Sequence, residues 1–77
     1  MGINDFIKNF SDQFTETEEG TFTAQTIFKD DIDEWDSLIA LSIIAMVDDE
    51  YNIVIKGDDI RNSNTIEDLY KIVESRI

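Results

Sequence analysis

One stretch of the chain constrains the fold most, because an acidic segment in it directly precedes an apolar one. Five of the seven residues from Asp30 to Asp36 are acidic, whereas Ser42 is the only polar residue from Leu38 to Val47. At the boundary, Asp36 and Ser37 are both good N-cap residues, because their short side chains accept hydrogen bonds from the free N–H groups of a first helical turn. The sequence therefore predicts that a helix begins at this boundary.

The length and composition predict one small domain. The chain has 77 residues, 42% of them hydrophobic, with no cysteine and no histidine. Its core must therefore consist of apolar side chains, without disulfides or a structural metal. No apolar run reaches the roughly 18 residues of a membrane span, and the N-terminus lacks the pattern of a signal peptide. We expect a single monomeric, cytoplasmic domain over residues 1–77.

The charge restricts the possible partners. Eighteen acidic residues against six basic ones give a net charge of −12, which repels nucleic acids and anionic membranes and attracts basic protein surfaces. The missing histidine and cysteine remove the usual general base, the thiol nucleophile and the soft metal ligands. We therefore expect neither an autonomous enzyme nor a metal site.

Apolar residues recur at helical spacing near the N-terminus, where Asn4 or Asp5 could cap the helix. The predicted buried face consists of Ile3, Phe6, Ile7, Phe10 and Phe14. Residues 15–26 then lose this periodicity and predict a long connection. We expect the core contacts of this connection and the acidic segment to be Phe22, Ile27, Phe28, Ile32 and Trp35.

The second helix should run from about Leu38 to Tyr51 and end near Asn52. Its two sides are both rich in apolar atoms. One side contains Ile39, Ile43, Met46, Val47 and Glu50, and the other contains Leu38, Leu41, Ala45, Asp48 and Asp49. Such a helix is either wholly central or offers part of its surface to a partner, and the small size of the domain favours the second alternative.

The C-terminal third predicts two more helices. Residues 53–55 have no possible strand partner and indicate an extended loop. Residues 57–60 indicate a short helical turn, and Asn64 with Glu67 has the form of a capping box. The last helix should bury Ile66, Leu69, Tyr70, Val73 and Ile77. The predicted fold is all-α: a small four-helix bundle of three longer helices and one short helix, with a long loop between helices 1 and 2.

The sequence resembles the acyl carrier proteins over nearly its whole length. The tripeptide Asp36-Ser37-Leu38 matches the Asp-Ser-Leu motif at the start of that family's second helix. The segment Glu50-Tyr51-Asn52-Ile53 resembles the end of the same helix. The long preceding loop, the acidity and the small size agree with the family as well.

The resemblance implies that Ser37 carries 4′-phosphopantetheine, which a separate transferase takes from coenzyme A with the help of magnesium. The position suits a phosphodiester, because free N–H groups and the helix dipole favour an anion at a helix N-terminus. Asp36 would help to position the metal or the transferase, or it would serve only as an N-cap. Leu38 completes the motif.

The resemblance also implies a docking surface for the transferase and for the enzymes that load and process acyl groups. Its predicted residues are Leu38, Leu41, Ala45, Asp48 and Asp49. The pattern departs from that of many fatty-acid carriers, since Ile39 and Ser42 replace acids and Trp35 replaces a smaller residue. Fatty-acid, polyketide and other specialised pathways all stay open.

Other classes fit less well. An acidic interaction module or nucleic-acid mimic without a prosthetic group is the main alternative, and in it Ser37 would be only a helix cap. A calcium loop fails on spacing: counted from Asp31, the sixth residue is Asp36 instead of glycine and the twelfth is Ser42 instead of glutamate. A hydrolase would need a base beside the serine, which this sequence lacks.

Overall fold

The computed structural model describes residues 2–77, and this part of the chain is helical without any β-strand. The helices are α1 (Ile3–Ser11), α2 (Phe28–Asp31), α3 (Ser37–Tyr51), α4 (Gly57–Arg61) and α5 (Ile66–Ser75). Helix α1 contacts both α3 and α5, and α4 contacts α5. The predicted all-α class with three longer helices is confirmed, and α2 is a second short helix that the sequence pattern did not indicate.

Helix α1 buries Phe6 and Phe10 completely, as predicted. The prediction that Asn4 or Asp5 caps it is wrong, because the helix begins at Ile3, one residue after its N-cap Gly2. Helix α1 also ends at Ser11, before the last predicted core residue, Phe14. A tight turn still brings Phe14 into the core, since its N–H donates to the Ser11 carbonyl at 3.0 Å.

The connection between α1 and α3 contains a 3-10 turn at Glu19–Thr21 and the short helix α2. Phe22 and Phe28 are buried, as predicted. The prediction that Ile27 is buried is wrong, because its side chain is 40% exposed. The backbone of Ile27 explains this orientation: it forms an antiparallel bridge with Thr65, and the residues on either side of Ile27 point inward.

Helix α3 turns Ile43, Met46 and Val47 towards the core, as the periodicity predicted. It ends at Tyr51, and Asn52 follows with φ 56° in the left-handed region. Asparagine tolerates this conformation better than most residues, which explains why the helix stops there.

Helix α5 begins one residue later than predicted. Its capping box is formed by Thr65 and Asp68, not by Asn64 and Glu67. The backbone N–H groups of Ile66 and Glu67 donate to carbonyls of the long connection at 3.2 and 3.0 Å, which fixes this register. The prediction that Ile77 is buried is also wrong, since it lies beyond the end of the helix and is 72% exposed.

Aromatic rings form the part of the core that supports the start of α3. Trp35 stacks parallel to Phe10, with ring centroids 6.4 Å apart, and meets Phe28 edge-on at 4.8 Å. Ile32 is buried beside them. The two apolar residues of the acidic segment therefore contact the core, as predicted, and tie the segment before Ser37 to α1 and α2.

Candidate functional site

The two motif residues at the start of α3 have different roles. Asp36 is the N-cap, and its Oδ1 accepts a hydrogen bond from the Ile39 N–H at 2.8 Å. Ser37 is the first residue of the helix and is exposed. Within residues 2–77, its hydroxyl makes no hydrogen bond to another side chain or to the backbone. Since Asp36 provides the cap, the Ser37 hydroxyl is left free for a partner.

The acidic segment is more than a solvated loop. Three of its five carboxylates accept hydrogen bonds from backbone N–H groups. Asp31 accepts from Ile27 at 2.9 Å, Glu34 accepts from the loop after α1, and Asp36 caps α3. The carboxylates of this segment therefore hold the backbone on both sides of α2 and up to Ser37.

Glu34 makes the largest number of these contacts. Its Oε2 accepts from the N–H and the hydroxyl of Thr15 at 2.8 and 2.9 Å. Its Oε1 accepts from the Glu16 N–H at 3.0 Å and from the N–H and the hydroxyl of Thr17 at 3.0 and 2.9 Å. We call these five hydrogen bonds the Glu34 clasp. The backbone N–H of Thr15, helped by the other donors, lowers the pKa of Glu34 from 4.5 to about 2.

The five predicted partner-binding residues lie together on one exposed face of α3. Leu38 and Leu41 are 71% and 61% exposed, and Ala45, Asp48 and Asp49 are exposed as well. In the described part of the chain, neither aspartate forms an ion pair or a side-chain hydrogen bond. The face starts beside Ser37 and combines apolar side chains near the serine with free carboxylates farther along the helix.

An apolar groove of about 470 Å³ opens beside Ser37. Its walls come mainly from α3 and α4 and include Trp35, Ala40, Leu41, Ile44 and Ile60. The sequence did not predict this groove, because its two walls are separated along the chain and only the fold brings them together.

Two interactions fix α4, which forms the far wall of the groove. Lys29 Nζ donates to the carbonyls of Ile60 and Arg61 at 3.2 and 3.0 Å, where the helix ends. In the middle of α4, both oxygens of Asp59 accept from the Arg76 guanidinium at 2.8 Å. This pairing lowers the pKa of Asp59. Lys29 and Arg61 also line the groove, so two of the six basic residues of the chain lie there.

A second depression lies on the other side of the exposed face, between α1 and α3. It has a volume of about 310 Å³ and is lined by polar groups that include Asn9, Gln13, Ser42 and Asp49. The exposed face of α3 is therefore a ridge with an apolar groove on one side and a polar depression on the other.

The described residues contain neither a cluster of metal ligands nor a membrane-spanning helix. No group of three or more carboxylate side chains there is arranged to hold a metal ion. None of the helices in the same residues has both the length and the apolar character needed to cross a bilayer.

No protein-family model matches the sequence, and no solved structure matches the chain.

Proposed function

We propose that this protein is an acyl carrier that holds acyl intermediates on a 4′-phosphopantetheine arm attached to Ser37. The observation that carries the proposal is the free, exposed hydroxyl of Ser37 at the first position of α3. A serine that only capped the helix would direct its oxygen to the N–H groups of the first turn. Here Asp36 does so, at 2.8 Å from the Ile39 nitrogen.

The start of α3 fits a phosphodiester. Asp36 occupies one N–H of the first turn, and the N–H groups of Ser37 and Leu38 have no acceptor within the helix. These groups and the positive end of the helix dipole favour a negative charge on the serine oxygen.

The chain itself supplies the Ser37 hydroxyl that receives the arm and the face of α3 on which partner enzymes dock. A base of the transferase would take the proton of the Ser37 hydroxyl, whose oxygen would bond to the pantetheine-bearing phosphorus of coenzyme A while the bond to the second phosphate breaks and adenosine 3′,5′-bisphosphate leaves with magnesium. Because the transferase would supply the base, this chain needs no histidine of its own. When attached, the arm supplies a terminal thiol that carries acyl groups as thioesters. Leu38, Leu41 and Ala45 offer apolar contact to the partner enzymes, while Asp48 and Asp49 attract their basic surfaces.

The proposal is tested by intact-mass measurement after incubation with a phosphopantetheinyl transferase, coenzyme A and magnesium. The native chain should gain the mass of one arm, and Ser37→Ala should gain none. Ser42→Ala is the matched control, because Ser42 lies on the same helix but is partly buried, and this variant should be modified like the native chain. Modification of Ser37→Ala, or no modification of the native chain by any transferase tested, would refute the proposal.

The alternative is an acidic interaction module without a prosthetic group. The free carboxylates of Asp48 and Asp49 support it as well, because they would attract any basic partner surface. This alternative predicts no gain of mass, together with binding to a basic partner that is unaffected by Ser37→Ala. The same variant therefore separates the two functions.

A further inference from the structure

We propose that Glu34 is a positioning residue for Ser37: by clasping residues 15–17 it holds the segment before α3 in the conformation that presents the serine to the transferase. This inference rests on the proposed function of Ser37. The hydrogen bonds of Glu34 go to Thr15, Glu16 and Thr17 and not to Ser37, so it would act through the backbone that it fixes.

The clasp depends on a carboxylate. It receives three backbone N–H groups and two hydroxyls, at distances between 2.8 and 3.0 Å. An ionised glutamate has two acceptor oxygens and no hydrogens, so it can serve all five donors. A glutamine would turn an NH2 group towards some of these donors and leave them without an acceptor. We therefore expect Glu34→Gln to remove the acceptor of at least two of the five donors and to weaken the clasp with little change in side-chain size.

The clasp lies close to Ser37 along the chain. Three residue steps separate Glu34 from Ser37, a span of about 10 Å at most. Of the two residues between them, Trp35 packs against Phe28 and Asp36 caps α3. The clasp supplies the hydrogen bonds between this short segment and the loop after α1, where Trp35 also packs against Phe14. We expect its loss to free residues 15–17 and to let the start of the segment move.

The clasp lies at the protein surface, away from the buried core of α1, α3 and α5. Opening it should therefore be a local event that leaves the rest of the bundle folded. If only a fraction of the carrier molecules present the serine correctly, the apparent affinity for the transferase falls in proportion to that fraction. The expected signature is a higher KM for the carrier with an unchanged kcat.

The experiment measures transferase kinetics for the native chain, Glu34→Gln and the matched control Glu18→Gln. Glu18 lies in the same connection, is exposed and makes no hydrogen bond through its side chain among the described residues. For Glu34→Gln we expect a KM about tenfold higher, which corresponds to a presenting population of about one tenth. Its kcat should match that of Glu18→Gln. Amide exchange should become faster at Thr15, Glu16 and Thr17 and stay slow in α1 and α5.

Thr17→Val gives a graded second measurement, because it removes one hydroxyl of the clasp and keeps the backbone N–H. Its KM should rise less than that of Glu34→Gln. Equal KM values for Glu34→Gln and Glu18→Gln would overturn the inference. So would a loss of amide protection throughout the bundle, since that would make Glu34 a general stabilising residue. If no variant and not even the native chain is modified, the carrier proposal fails, and this inference fails with it.

Discussion

The protein has two groups of acidic residues near α3, and the structure uses them differently. In the segment before the helix, Asp31, Glu34 and Asp36 accept hydrogen bonds from backbone N–H groups at 2.8 to 3.0 Å. In the second half of the helix, Asp48 and Asp49 are exposed and make no such bonds within the described chain. The first group holds the backbone, and the second group is free to meet another molecule.

The difference has a simple physical origin. Inside a helix each N–H is already bound to the carbonyl four residues earlier, so an acidic side chain there finds no free donor. In loops and at helix starts, N–H groups lack such partners, and a nearby carboxylate can accept from them. Acidic side chains therefore stabilise the backbone before Ser37 and leave exposed negative charge on α3 after it.

The largest contrast between the two regions should appear in stability. Trp35→Ala removes a ring that packs on Phe10 and Phe28. We expect it to lower the free energy of unfolding by about 2–3 kcal/mol, somewhat less than for a fully buried ring. Leu38→Ala, at a position 71% exposed, should change it by less than about 0.5 kcal/mol. Urea denaturation followed by circular dichroism measures both, and equal losses would contradict the contrast.

On the exposed face of α3, partner binding should depend more on the apolar side chains near Ser37 than on the aspartates farther along the helix. Leu41→Ala should weaken binding to the transferase about tenfold, a loss of about 1.4 kcal/mol, because an apolar contact is lost at every salt concentration. Asp49→Asn should weaken it about twofold, and this effect should fade as salt screens exposed charges beyond a Debye length of about 8 Å.

Affinities of the two variants for one transferase across a salt series test this expectation. The effect of Leu41→Ala should stay constant, and that of Asp49→Asn should shrink. An effect of Asp49 that exceeds that of Leu41 at every salt concentration would show that charge governs docking on this face.

A smaller difference concerns the helix cap. Asp36→Ala removes the acceptor of the Ile39 N–H and should cost about 1 kcal/mol. Asp36→Asn keeps a capping oxygen and should lower the free energy of unfolding by only about 0.3 kcal/mol. Asp49→Ala is the control in the second region and should be neutral within about 0.5 kcal/mol. Chemical denaturation of the three variants checks the order, and a neutral Asp36→Ala would show that another group caps α3.

Local signals in the sequence predicted most of the fold. The start of α3 could be predicted because an acidic segment and an apolar run meet at Asp36 and Ser37. The end of α3 near Asn52 was predicted from the end of the apolar run, and the structure adds the reason, since Asn52 adopts the left-handed conformation with φ 56°. The period of 3.6 residues divided the same helix into two sides, and the resemblance to the acyl carrier proteins indicated which side is exposed. Each of these features depends on residues within a few positions of one another.

Features that depend on distant residues could not be predicted. Two pairs fit a capping box at the start of α5, Asn64 with Glu67 and Thr65 with Asp68. The helix uses the second pair, because the N–H groups of its first two residues donate to the carbonyls of Thr26 and Ala24 in the long connection. The Glu34 clasp joins residues up to 19 positions apart, with no periodicity to reveal it. The groove beside Ser37 likewise depends on the position of α4. Within the candidate site, the position of Ser37 at the start of α3 was predicted, whereas the contacts that hold the neighbouring backbone were not.

The smallest effect we expect is the pH dependence of the stabilisation by Glu34, in the first of the two acidic groups. The pKa of Glu34 is lowered from 4.5 to about 2 by the donors of the clasp, so folding favours its ionised form. The stabilisation is complete above pH 4.5 and is lost as the pH falls through about 2, because the protonated side chain can no longer serve all five donors. Water competes for these donors at the surface, which keeps the effect small.

The measurement is the free energy of unfolding of the native chain, Glu34→Gln and Glu18→Gln from pH 7 to pH 2. The difference in the free energy of unfolding between the native chain and Glu34→Gln should be constant near neutral pH and should shrink as the pH falls. Glu18→Gln should have the free energy of unfolding of the native chain at every pH. A difference that persists unchanged at the lowest pH would show that the clasp does not depend on the negative charge of Glu34.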